Sequence, residues 1–178
     1  MQPVVGEPLV PIHCVACDVA TAAQTGRGAP YLKATLVDHG WVCEAEAEIG
    51  PGVAAIRALV LGIVERGDVD VLLLSGGSGI GPADRTPDAV VPLFSRRLPG
   101  FGEHYRQLAQ VTVGAMAAMS RADAGIIAHT LVLLLPGSQA GCSLAMDALI
   151  LPLLAAAVPE LRRRRYAAAP PRAFVPTT

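Results

Sequence analysis

The sequence predicts an α/β fold in which an open, mostly parallel sheet is covered by helices on both faces. Three observations carry that prediction. Short apolar runs alternate with stretches of helical periodicity from residue 9 to residue 90, the pattern of strand–helix–strand units. One run, VDVLLL at 69–74, is apolar at successive positions, as a strand buried on both faces must be. A glycine cluster, SGGSGIGP at 75–82, follows it directly, at the end of the strand where open α/β sheets bind ligands.

LVPIHCVAC (9–17), bounded by Pro8 and by TAAQTGRG, reads as the first strand. From Ala29 to Gly40 the spacing of Leu32, Leu36 and Val37 suits a helix, with Gly40 as its stop. WVCEAEAEI (41–49) alternates: Trp41, Cys43, Ala45, Ala47 and Ile49 share one face, and Glu44, Glu46 and Glu48 the other. That predicts a half-exposed edge strand. Val53, Ile56, Leu59, Val60, Ile63 and Val64 form an amphipathic helix over 53–66. After the central strand, Thr86-Pro87 reads as an N-cap followed by Pro at the first helical position, with a helix from about Asp88. LPGFGEHYRQLAQ (98–110) reads as a turn and a short helix, and VTVGAMAAMS (111–120) suits either helix or strand. AGIIAHTLVLLLP (124–136) reads as two strands or one bent one. Ser138–Leu151 and Pro152 to about Arg164 read as helices, the second interrupted near Pro159. Residues 1–160 therefore form a single domain, and 161–178 a mobile basic and Pro/Ala-rich tail.

At 178 residues, 52% hydrophobic and 16% charged, the chain is sized for one domain with a packed core. A net charge of −1 offers no electrostatic attraction to nucleic acid or to an anionic membrane. Lysine chemistry has a single candidate, Lys33. No basic start followed by an apolar stretch and a cleavage site is present, and runs such as LVLLLP (131–136) are too short to span a bilayer. The expectation is a cytoplasmic protein with no nucleic-acid or membrane partner. Cys14 and Cys17 form a Cys-x-x-Cys, but no second ligand pair follows at zinc spacing, and on a strand the two point to opposite faces. They read as buried small hydrophobes. Among the histidines, His129 reads as a structural residue within a strand; His104 follows the PGFGE block, and an approach to the pocket is its minor reading.

The glycine loop is the candidate site. Glycines let the main chain approach a ligand closely, and successive amides can form an anion-binding nest. Ser75 and Ser78 add hydroxyl donors, and the following helix N-terminus adds partial positive charge. A phosphate is the natural guest. No Gly-Lys-Ser/Thr ends the loop, so it is not a P-loop, and its spacing is not that of a dinucleotide fingerprint. Asp84 stands where a carboxylate would hold Mg²⁺ beside a phosphate, or simply precedes a helix.

Four blocks in order, SGGSGIGPADRTPDAV, LPGFGEHYR (98–106), SRADAG (120–125) and LPGSQAGCSLAMDALILPLL (135–154), resemble the MogA/MoaB family of molybdenum-cofactor biosynthesis. The resemblance covers roughly the second half of the chain. It implies a three-layer α/β/α sandwich of the molybdopterin-binding-domain type, assembled as a trimer or hexamer. It implies that molybdopterin is bound with its terminal phosphate near the glycine loop, that MgATP is the co-substrate, that AMP is transferred to that phosphate, and that a molybdenum-insertion protein is a partner. Residue by residue, it implies that Ser75, Gly76, Gly77, Ser78 and Gly79 line the pterin-phosphate site. Asp84 would serve the metal or the reacting phosphates, and Thr86 and Pro87 would start the helix behind them. Glu103, Ser120, Gly137 and Ser138 match further family blocks near the pocket.

The chain departs from the family pattern at three places. Active members carry an Asp between the second strand and second helix, where this chain has Gly50-Pro51-Gly52 after Glu48. An acidic residue before the first helix is replaced by Gly26 and Arg27, and an Arg before the loop's Asp by Ala83, with Arg85 just after. These departures leave two further readings beside the adenylyltransferase: a molybdopterin-binding carrier or scaffold, and a nucleotide or nucleotide-sugar binder on the same fold.

Overall fold

The computed structural model describes residues 12–20, 28–45 and 48–168. Six strands, β1 (His13–Asp18), β2 (Val42–Ala45), β3 (Val71–Ser75), β4 (Arg96–Arg97), β5 (Asp123–Ile127) and β6 (Thr130–Leu135), form one sheet in the order β2-β1-β3-β6-β5-β4. β2, β1, β3 and β6 are mutually parallel. β5 runs antiparallel to β6 and β4 antiparallel to β5. The stretch 124–136 is thus two strands, a hairpin, and His129 lies exposed in its turn rather than inside a strand.

Alternation along each strand sorts the core into two layers. Cys14, Ala16, Leu73, Leu131, Leu133 and Leu135 face α1 (Gly28–Asp38), α4 (Pro99–Val113), α5 (Gln139–Ala145) and α6 (Leu151–Ala168). Val15, Cys17, Leu72, Leu74, Val132 and Leu134 face α2 (Val53–Glu65) and α3 (Thr86–Val90). Cys14 and Cys17 enter opposite cores, as strand geometry requires. The predicted alternation does not carry through to residue 49. Trp41 and Cys43 pack with the first layer, Glu46 and Ala47 lie outside the described residues, and Ile49 joins the second layer, with a bridge to Val19.

The stretch 111–120 resolves as the end of α4 followed by a 3₁₀ turn, Gly114–Met119. α5 continues through a π-helical turn, Met146–Ile150, into α6. The helical stretch Gln139–Arg163 is long and apolar enough to cross a membrane, contrary to the expectation from run length. In this fold Cys142, Met146, Ile150, Leu154 and Val158 along it are core residues. α6 also runs on to Ala168, so the expected tail begins as helix, and residues 169–178 lie outside the described residues. Arg162 ties this helix to the sheet. Its guanidinium donates to both carboxylate oxygens of buried Asp70, at 3.1 and 2.5 Å, while the His13 amide donates to the same carboxylate at 3.0 Å. The first arginine of the basic run is therefore tied to the start of the central strand.

A second charge cluster lies at that end of the sheet. Arg66 donates to both oxygens of Glu44, and His13 Nε2 lies 2.9 Å from Glu44 Oε1. Arg66, with His13, holds the Glu44 carboxyl well below the usual carboxylate range, at about 2. A depressed folded pKa contributes stability above the unfolded value, lost as pH falls through the folded one. Stability is expected to decline from about pH 4.5 to about pH 2, by an amount reduced by solvent screening. Denaturant unfolding across that range should show a shallower acid limb for Glu44→Gln.

Candidate functional site

In chain order the sheet grows from β1 to β2 on one side and then to β3 on the other. The carboxyl ends of β1 and β3 are therefore a topological switch point, where a crevice opens. The glycine loop leaves β3 at that point. Gly76 and Gly77 have φ of +104° and +64°, in the left-handed region. These two residues turn the chain.

The carbonyls of Ser75 to Gly79 are all engaged. Ser75 O accepts from the Val19 amide at 2.7 Å, Gly76 O from the Thr86 hydroxyl at 2.7 Å, and Gly77 O from the Thr86 amide at 3.0 Å. Ser78 O accepts from the Arg121 amide at 2.7 Å and Gly79 O from Arg121 Nε at 2.8 Å. The amides of Gly77, Ser78, Gly79 and Ile80 have no hydrogen-bond partner among the described residues. Four successive N–H groups without acceptors, in a loop whose carbonyls from Ser75 to Gly79 are held by other partners, can form a nest for an anion.

A cleft of about 230 Å³ opens beside this nest, lined by Ser78, Gly79, Asp84 and Ser120 and, opposite, by residues of α4 and the 3₁₀ turn that follows it. Ser78 is buried, and its hydroxyl has no partner among the described residues. Asp84 Oδ2 accepts the Gly81 amide at 2.8 Å, so part of this carboxylate shapes the loop. Ser120 faces both this cleft and a second one, of about 530 Å³, which takes in Glu103 along with Arg97, Arg106 and Arg121.

Other predicted site residues are placed differently. The Ser75 hydroxyl donates to Pro136 O at 3.3 Å and neighbours Cys142 Sγ at 3.7 Å, so it braces β3 against the chain after β6. Thr86 is not an N-cap. Arg85 holds that position, and Thr86, fully buried in the first turn, spends its hydroxyl on Gly76 O. Ser138 caps α5 by accepting the Gly141 amide at 3.1 Å, with Gly137 buried before it. His104 lines an apolar groove with Phe101, Leu149 and Leu153, not the cleft. Arg85 turns back to Pro82 O at 3.1 Å.

The structure adds two residues to the site. Arg121 is the clamp of the loop: besides Ser78 and Gly79 it binds the Asp84 carbonyl, and its Nη1 reaches Asp88 Oδ1 at 3.0 Å. Its signal lay in SRADAG, read only as a block. Asp18, buried at the end of β1 and paired in register with Ser75, accepts the Ala29 amide at 3.0 Å and so caps α1. A carboxylate ending the strand beside the glycine strand was visible in CVACD. Since Lys lacks the planar fork that holds several carbonyls at once, Arg121→Lys is expected to loosen the loop and weaken phosphate binding about tenfold. Titration of the variant with inorganic phosphate measures it, and unchanged affinity would remove Arg121 from the account.

Residues 14–156 match the family described as "Probable molybdopterin binding domain". The chain is 46% identical over 108 residues to molybdenum cofactor biosynthesis protein B of Bacillus subtilis, a match spanning 60% of this chain and 63% of that protein. It is 33% identical over 156 residues to the protein of the same name from Bacillus anthracis, spanning 84% of this chain and 92% of the relative. A crystal structure of a molybdenum cofactor biosynthesis protein B superposes with a TM-score of 0.80 at 31% identity, covering 88% of this chain and 99% of that one.

Proposed function

The chain belongs to the MogA/MoaB family of molybdopterin-binding domains, and from that premise we propose that it works in molybdenum cofactor biosynthesis, binding molybdopterin by its terminal phosphate and transferring AMP to that phosphate from MgATP. The observation that carries the reading is the row of four unpartnered amides from Gly77 to Ile80, in a loop whose Ser78 and Gly79 line the cleft. An oxyanion bound there meets donors already oriented, so little reorganisation is needed on binding or reaction.

In the transfer, an oxygen of the bound terminal phosphate attacks the α-phosphorus of ATP. A new P–O–P bridge forms as the bond to the β-phosphate oxygen breaks, and pyrophosphate leaves with the bonding electron pair. The chain's part is to hold the attacking phosphate in line and to stabilise its charge. Ser78 donates from its hydroxyl, and Arg121 holds the loop carbonyls. Magnesium commonly takes one or two protein carboxylates and completes its shell with substrate phosphates and water. Asp84, with one oxygen engaged by Gly81 and its carboxylate on the cleft wall, fits that demand. When bound there, Mg²⁺ would offset the repulsion between two polyanions. The same reading includes assembly as a homo-oligomer, trimer or hexamer, in the cytoplasm, and delivery of the product to a molybdenum-insertion partner.

A second reading is a carrier that binds molybdopterin without adenylylating it. It is favoured by the junction before α2, where Gly50, Pro51 and Gly52 supply no carboxylate and Glu48 is exposed. Incubation of purified protein with molybdopterin and MgATP, following adenylylated molybdopterin and pyrophosphate, separates the two. Multiple turnovers support the enzyme; binding without product supports the carrier.

A further inference from the structure

We propose that the Tyr105 hydroxyl is a ligand-binding group, reading the polar edge of a flat heteroaromatic ring held in the cleft beside the glycine loop. The inference rests on the reading of that cleft as a molybdopterin site and names a residue outside the loop that selects the ring rather than the phosphate.

Tyr105 lies on α4 and is 4% exposed, with its ring in the core layer under the sheet. It lines the cleft together with Ser78, Asp84 and Pro136. A buried tyrosine ordinarily gives its hydroxyl a partner. This one has none among the described residues. Yet no side-chain oxygen or nitrogen sealed from solvent is left unpaired among them. The hydroxyl therefore reaches open space, and the space Tyr105 lines is the cleft. Burial, with Cys142 alongside, pushes the phenol pKa up, so the group is a donor at neutral pH.

The wall that carries this donor continues as an apolar surface, across the cleft from the glycine loop. Ala109, Val113, Met116, Ala117 and Met119 form an apolar surface at the end of α4 and along the following turn. Met116 and Met119 are three apart in a 3₁₀ turn and so share a face. Thioethers pack well on aromatic rings and adapt to their outline. The cleft thus combines an anion nest at the loop, an apolar wall for a ring face, and one isolated hydroxyl for a ring edge. A phosphate alone would use only the first of these.

Tyr105→Phe removes the hydroxyl and keeps the ring, so the fold should persist, which a denaturation curve checks. The probe is a pterin bearing a phosphate ester, titrated by its fluorescence into wild type and variant, with inorganic phosphate titrated separately. The variant should bind the pterin phosphate about five- to tenfold more weakly, with inorganic phosphate affinity unchanged. Equal pterin-phosphate affinity in both proteins, or an equal loss for both ligands, would overturn the role of Tyr105 alone. Failure of wild type to bind the pterin phosphate while it binds inorganic phosphate would overturn the molybdopterin reading, and this inference with it.

Discussion

Gly76→Ala is expected to destabilise the protein by about 3 kcal/mol or more and to abolish phosphate binding. Gly76 has a φ of +104°, where an alanine is strained whatever space surrounds it. The added Cβ would also lie 2.4 Å from the Val19 carbonyl oxygen, which is backbone of the chain leaving β1 and has little room to yield. Relief would require β1 and β3 to separate at the last pair of their register, Asp18 and Ser75. The Gly76 amide, bonded to Leu135 O at 3.0 Å, would be pulled from its place as well. One methyl group therefore strikes both the central sheet and the turn that aims the free amides. Denaturant unfolding gives the first effect and phosphate titration of the folded fraction the second. Wild-type stability would show that the loop's conformation is not fixed as described.

Asp84→Asn should leave the fold and molybdopterin binding nearly intact and lower adenylyl transfer by about 10²–10³-fold. The amide keeps an oxygen for the Gly81 N–H that Asp84 Oδ2 accepts at 2.8 Å, so the turn between Gly81 and Asp84 has no reason to open. What is lost is the negative charge on the cleft wall. A fall in kcat with unchanged molybdopterin affinity is the signature of an interaction made in the reaction rather than in binding. Comparable turnover by the variant would remove Asp84 from the chemistry and leave it as a shaping residue of the loop.

Much of the scaffold was legible because its signals are periodic. Strand β3 and helix α2 repeat their apolar residues at strand and helix spacing, and both form close to where the pattern places them. The stretch 111–120 carried two periods at once, and packing decided it: only Ala117 and the preceding α4 face reach the core. The loop's position was legible from its glycines, but the division of labour within it was not. Ser75 looked like a ligand group because hydroxyls near a phosphate loop usually are, and Thr86 looked like an N-cap because Pro follows it. Each instead satisfies a backbone carbonyl, a demand visible only once the strands are side by side. Arg121 and Tyr105 escaped notice for the same reason. They are distant in sequence from the loop, and neither the carbonyls that Arg121 binds nor the open space before the Tyr105 hydroxyl leaves a mark in the chain's periodicity.

The central claim is that the free amides of Gly77 to Ile80 hold the terminal phosphate of molybdopterin. Calorimetric titration of the protein with molybdopterin and with its dephosphorylated form tests it most directly. The account predicts that removing the phosphate weakens binding about 10- to 100-fold, as the loss of one or two charge-assisted hydrogen bonds requires. Equal affinity for the two forms would contradict it, and would place the glycine loop outside the binding site.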